Sequence, residues 1–253
     1  MSIFRPIVFT AVLAGLLVGL AVTVVQHFGT IPLILAAEVY ENGGEAAHDH
    51  GAAGHDHGAA SSETEAAAPA HDHEPAFWAP ANGVERTVYT ALFNVITQVG
   101  FGLLLTAGLV LSRRPISWRE GFLWGLAGFV IFSWAPSLGL PPELPGMPAA
   151  ELGARQAWWI GTVVATAVSL GLVAFVRSPL AAAAAVVLFA VPHLIGAPML
   201  AEMETAVPET LEHRFIVAAL MTTLLSWSLL GGLVGAFFHR FAAGEAESDV
   251  AHA

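Results

Sequence analysis

The 253-residue sequence has no cysteine and no lysine, and only 29 residues that carry charge, nine basic and twenty acidic. Without cysteine there are no disulfides, no thiolate metal sites and no thiol nucleophiles. A Walker-type phosphate loop ends its glycine-rich turn in lysine, so nucleotide hydrolysis by that route is excluded. All nine basic residues are arginine, and a formal net charge of −11 excludes a basic nucleic-acid surface. What is present is apolar: 56% of the residues are hydrophobic, 11% are charged and the mean hydropathy is +0.68. A soluble domain of ordinary make-up is about a quarter charged. The composition is that of an all-α polytopic membrane protein. At about 20 residues per crossing, six spans use about 120 residues and leave loops, with no room for a separate catalytic domain.

Charged residues delimit six uncharged runs, at 6–37, 87–112, 121–142, 156–176, 178–201 and 215–238. Each reaches the about 18 residues of a membrane-helix candidate, and in lipid the backbone must satisfy itself, as a helix does. Trimming at Pro and Gly predicts spans near 7–27, 88–111, 119–135, 157–176, 180–197 and 215–238. The fifth is ambiguous, because it holds five consecutive alanines and then Pro192, His193 and Pro198. Six crossings are preferred, with a re-entrant fifth segment and five crossings as the alternative. The first apolar run is longer than the about 7–15 residues of a signal-peptide core, which favours an uncleaved signal-anchor helix.

Orientation follows from arginine placement. With the N-terminus in the cytoplasm, Arg5, Arg113, Arg114, Arg119, Arg177 and Arg240 lie inside; Arg86, Arg155 and Arg214 lie outside with sixteen of the twenty acids. The chain then divides into a first helix with an outer extension (1–37), a periplasmic loop expected to be disordered (38–86), a membrane bundle of four to five further helices (87–240) and an acidic cytoplasmic tail (241–253). Each outward helix nears its end at a Pro, and each return helix is preceded by an acid and an arginine. Three helical hairpins are one reading of this pattern; unrelated Pro-capped spans are the other.

The loop carries His48-Asp49-His50, His55-Asp56-His57 and His71-Asp72-His73. Imidazoles at i and i+2 of an extended chain point to one side, and with carboxylates they suit borderline divalent ions such as Zn, Ni, Co or Cu. A solvated low-complexity linker is the alternative. Further candidate ligands lie where spans meet the outer surface: His27, then Glu38 and Glu41, which share a face if that turn is helical. His193 follows Pro192, which removes a helical hydrogen bond and displaces the carbonyl of Leu188. An imidazole beside freed carbonyls is what broken transporter helices offer an ion; a histidine bonded to a neighbouring helix explains the spacing equally well. If Pro208 opens a short helix, Glu209 and His213 pair at i, i+4, against a hydrated acidic face as the alternative. Trp158 and Trp159 read as an aromatic belt. No nucleophile elbow and no His-Glu-x-x-His motif occurs, and nothing points to an enzyme.

Several segments taken in order resemble one family: Phe4-Arg5 before the first helix, Pro32-Leu33-Ile34-Leu35, Ala37-Glu38-Val39-Tyr40-Glu41, Trp78-Ala79-Pro80, Glu85-Arg86-Thr87, the 140–146 segment Leu-Pro-Pro-Glu-Leu-Pro-Gly, Ala154-Arg155-Gln156-Ala157-Trp158-Trp159, and the 192–198 segment Pro-His-Leu-Ile-Gly-Ala-Pro. Together they resemble the CbtA family of probable cobalt transporter subunits, over most of the chain. That resemblance implies a bacterial inner-membrane protein of about five spans, linked to cobalt uptake for cobalamin synthesis. It also implies a small one-helix, His-bearing CbtB-like companion subunit, and Co2+ as transported ion with no prosthetic group. The expected mechanism has two stages. His48, His50, His55, His57, His71 and His73 capture a divalent ion, which passes to His193, Glu38, Glu41 and a further set of His27, Glu209 and His213. A membrane-anchored metal buffer or assembly factor is the alternative.

Overall fold

A computed structural model describes residues 4–47, 80–81, 83–200 and 205–251, with the side chains of 41–47 and 242–251 outside the description. Among the described residues every regular element is a helix. The first span is α1 (Phe4–Phe28), broken at Gly29 and followed by α2 (Thr30–Ala47). Pro32 sits in the first turn of α2, where its missing N–H costs nothing. α2 therefore runs ten residues into the segment expected as loop, and α3 (Val84–Leu111) starts three residues before the expected bundle boundary. The His48–His73 tract lies outside the described residues.

α4 (Trp118–Phe129) passes through a π-helical turn (Val130–Trp134) into the short α5 (Ala135–Ser137), which together make the third apolar stretch. The wide turn lies immediately before Pro136, which has no N–H to offer the preceding turn. α6 (Leu152–Phe175) follows, then α7 (Pro179–Ile195) and α8 (Glu209–Ala251). α1, α3, α6 and the 209–241 part of α8 are long and apolar enough to cross a membrane on their own. α7, with 17 residues, spans about 26 Å, slightly short of the roughly 30 Å hydrocarbon core. Among the described residues it packs mainly on α6, with Phe189 stacked on Trp134 of the π-helical turn at 6.5 Å, and its outer face leaves Val186, Val187 and Leu194 exposed. Pro208 opens α8, its carbonyl accepting the N–H groups of Leu211 and Glu212, but the helix is not short: it is 43 residues long and continues through most of the expected tail.

The helices do not pair as three sequential hairpins. α1 packs on α3 as expected, but α4 packs on α8 and α6 on α7, while α1 and α8 join the halves. Glycine explains the choice. Gly121 and Gly125 on α4 face Gly231 and Gly235 on α8 so closely that a Cβ at Gly121 would stand 2.8 Å from Gly235 Cα. On α1, Gly15 and Gly19 admit the backbones of Val99 and Val95 in the same way. In lipid, close backbone approach through small-xxx-small faces drives helix association, and adjacency in sequence does not. Ala14, Val18, Leu105, Leu109, Trp227 and Leu230 form the core where α1, α3, α4 and α8 meet.

Two helix starts are capped by side chains. Ser117 Oγ accepts the N–H of Glu120 at α4, and the Glu151 carboxylate accepts the N–H groups of Gly153 and Ala154 at 2.7 and 2.6 Å at α6. Those backbone N–H bonds hold the Glu151 carboxyl below its ordinary value of 4.5. A depressed folded-state value stabilises at pH above 4.5, and the contribution disappears as pH falls through the lower folded value. Glu151→Ala is expected to lower the melting temperature at pH 7 and to change it far less at pH 3, read by thermal unfolding in detergent at the two pH values.

Candidate functional site

One end of the bundle gathers α2, the 138–151 connection, the 205–208 segment and the start of α8. Leu33, Ala37, Leu144, Val207 and Phe215 form a small apolar core there. Two ion pairs brace it. Arg86 Nη2 lies 2.8 Å from Glu38 Oε1, tying α3 to α2, and Arg155 Nη2 lies 2.6 Å from Glu143 Oε2, tying α6 to the Pro-rich connection. Glu38, expected as a cation ligand, is thus already neutralised by a guanidinium. A metal ion there would have to displace Arg86.

His193 sits differently. Pro192 is buried inside α7, and its carbonyl accepts both the indole N–H of Trp158 and the backbone N–H of Gly196, each at 3.1 Å. The imidazole packs against the rings of Trp158 and Phe189, with centroids 5.9 and 5.3 Å away. Its Nε2 is buried and has no hydrogen-bond partner among the described residues. Burying such a nitrogen unpaired costs about 1–3 kcal/mol, which marks the position as one where packing alone does not explain the residue. Trp158 also covers Gly139, where a Cβ would come within 2.6 Å of its ring. Trp159 faces Phe132 at 6.3 Å. Both tryptophans, expected as belt anchors, are engaged in helix–helix contacts.

The remaining candidates are spread out. His27 is exposed at the end of α1 with its ring edge-on to Phe28. Glu209 and His213 are exposed on the first turns of α8; His213 and Arg214 line an open cavity of about 500 Å³ with Phe28, Gly29, Pro32 and Leu33. Glu41 lies one turn beyond Glu38 on α2, as the helical reading required, but its side chain is outside the described residues. Among the described residues no group of three or more His, Cys, Asp or Glu side chains comes together. One polar constellation was not anticipated: buried Asn94 on α3 donates to Thr23 Oγ1 at 3.0 Å and Gln26 Oε1 at 2.7 Å on α1. Its signal was uncharged amides inside apolar runs, which a reading confined to charged residues passes over.

The family model described as probable cobalt transporter subunit (CbtA) matches residues 4–239, nearly the whole chain. The chain belongs to the CbtA family. A CbtA chain is a subunit of a cobalt transport system, so a partner is implied and cobalt is the cargo. The apolar helices fit the multi-pass membrane protein this requires. Among curated proteins and solved structures no match was found.

Proposed function

We propose that this chain is the inner-membrane subunit that receives Co2+ from the periplasm and passes it to ligands at the membrane boundary, working with a small one-helix CbtB-like companion. The cargo follows from the family. The route is supported by the Nε2 of His193, which is buried, lacks a hydrogen-bond partner among the described residues and is held at the end of an apolar helix. The positive-inside rule places the 48–73 histidine tract and sixteen acids on the periplasmic side. That field raises local cation concentration and weakens with salt. His48, His50, His55, His57, His71 and His73 act as an antenna, with Glu41, His27, Glu209 and His213 as secondary donors around the entry. Glu38 joins only if Arg86 releases it. A nucleotide site has no place in the sequence, so the driving force is membrane potential or a partner.

A non-transporting metal buffer or assembly factor is the second reading. It is favoured by one observation, that no three-donor cluster forms among the described residues. Cellular cobalt measured by mass spectrometry in a cobalt-transport-deficient strain separates the two. Deletion of residues 44–74 is expected to raise the external cobalt needed for half-maximal uptake and to have no effect at saturating cobalt. Ligand imidazoles must be neutral, so uptake at low cobalt falls as the outside pH drops through about 6.5, the ordinary histidine value. An uptake optimum well below pH 6, or no cobalt accumulation by any variant with or without the companion, would sink the transport reading.

A further inference from the structure

The opposite end of the bundle carries a second site. Between α3, α4 and α6 lies a cleft of about 480 Å³ lined by apolar side chains, among them Leu104, Leu123, Ile131, Leu170 and Phe175. Among the described residues α3 and α6 make no extensive contact across it, and α4 lines it between them. Its mouth is charged. Arg114 lines the cleft, donates to the carbonyl of Ala174 at 2.8 Å and lies over the Phe175 ring at 4.8 Å, so it draws the α3–α4 connection onto the end of α6. Arg113 is exposed and holds a left-handed backbone with φ 54°, Arg119 lies over Trp118, and Arg177 follows α6 by two residues. Among the described residues none of these four arginines forms an ion pair. Arg114 and Glu120 are the two charged residues that line the cleft itself; Arg113, Arg119 and Arg177 lie beyond its lining, in the connections at the same end, so the four arginines and Glu120 give that end of the bundle a net charge of about +3.

From these features we infer that the cleft binds an anionic membrane phospholipid, with an acyl chain between α3 and α6 and the headgroup phosphate on the arginines. Charge and size both select this occupant. A basic pocket between helices at the cytoplasmic surface is suited to an acidic headgroup. The volume falls in the about 300–1,000 Å³ range of small-molecule sites. A partner helix about 10 Å across would exhaust it in roughly one turn, too little to seat a membrane-length helix. Zwitterionic lipid would leave the four guanidinium groups without a net anionic partner.

The test uses the full chain reconstituted in equal parts phosphatidylcholine and phosphatidylglycerol, then stripped with detergent, with retained lipid counted by mass spectrometry. The expected result is retention of phosphatidylglycerol over phosphatidylcholine, a preference that falls about fivefold for each arginine removed in Arg113→Gln and Arg177→Gln. Gly171 lines the cleft, and a Cβ there meets nothing within 4 Å. Gly171→Leu therefore fills the chain site without a clash and is expected to abolish retention while melting like the parent in neutral lipid. Should Gly171→Leu not fold, phosphatidylglycerol with brominated acyl chains decides the point in the unaltered protein: it is expected to quench Trp124, which lines the cleft, read as the difference from Trp124→Phe. Arginine dependence without sensitivity to Gly171→Leu or to the brominated chain, or competition by glycerol 3-phosphate, would mean surface phosphate binding and overturn the cleft. Equal retention of both lipids, or a co-purifying apolar peptide in place of lipid, overturns the proposal outright.

Discussion

Gly231→Ala is expected to destabilise the protein by about 1–3 kcal/mol, the usual range for overpacking, while Gly232→Ala, one residue along the same helix, is expected to stabilise it. The two positions share a helix and a substitution. They differ in what a Cβ meets. At Gly231 it would stand 2.7 Å from Gly125 Cα and collide with the Gly121 carbonyl; at Gly232 it meets nothing within 4 Å. The obstacle at Gly231 is backbone, which cannot rotate away as a side chain can, so α4 and α8 must separate. At Gly232 only the helix-propensity gain remains, about 0.5–1 kcal/mol relative to glycine. Gly125→Leu carries the same argument to its limit: with the Trp227 carbonyl and Gly231 Cα at the site, α4 loses α8 altogether and folded protein is not expected to accumulate. Thermal unfolding in detergent reads the Ala pair, and size-exclusion yield reads the Leu variant. Shifts of the same sign at Gly231 and Gly232 would remove the close glycine contact from the account of the fold.

That contact also marks where sequence reading stops. The apolar runs were legible because arginines and acids bracket them, and the helical class followed from the membrane alone. The pairing was not legible from order. Gly15-x-x-x-Gly19, Gly121-x-x-x-Gly125 and Gly231-x-x-x-Gly235 stand in the sequence and mark the close faces, but no spacing says that the third span should choose the sixth. The extent of α2 was hidden for a different reason. Residues 38–47 hold three glutamates and two glycines, a composition that reads as loop. Tertiary contacts of Leu33 and Ala37 with Val207 and Phe215 hold its start in place and override that local preference. At α8 the charges that end the apolar run do not end the helix. Ala- and Glu-rich sequence keeps high helix propensity in water, and the helix runs on to Ala251.

The candidate site was legible in one dimension only. Pro192-His193 stands out in the sequence by its place in an uncharged run, whereas the burial of the ring depends on α6, which brings Trp158 against the imidazole and to the Pro192 carbonyl. Glu38 was chosen as a ligand by residue type. Only the fold, which sets Arg86 at the start of α3 2.8 Å from Glu38, reveals that the arginine already holds it.

His193→Phe is expected to separate stability from transport, with opposite signs. The phenyl ring keeps the contacts to Trp158 and Phe189 and removes a buried nitrogen that has no partner among the described residues. Leaving such a group unpaired costs about 1–3 kcal/mol, so the variant should melt at or above the parent temperature. Cobalt accumulation in the transport-deficient strain should nevertheless fall to the level of cells without the protein, because no donor remains at that position. His193→Ala loses uptake too, but it also leaves a void between two rings and is expected to lower stability by roughly 2–5 kcal/mol, as large-to-small changes in packed sites do. The Ala variant alone could not tell a lost ligand from a loosened α6–α7 contact, and the Phe variant can. If His193→Phe lowers the melting temperature and uptake in step, the imidazole is structural. If it transports cobalt like the parent, the ion takes a route that does not touch His193, and the buffer reading gains the ground.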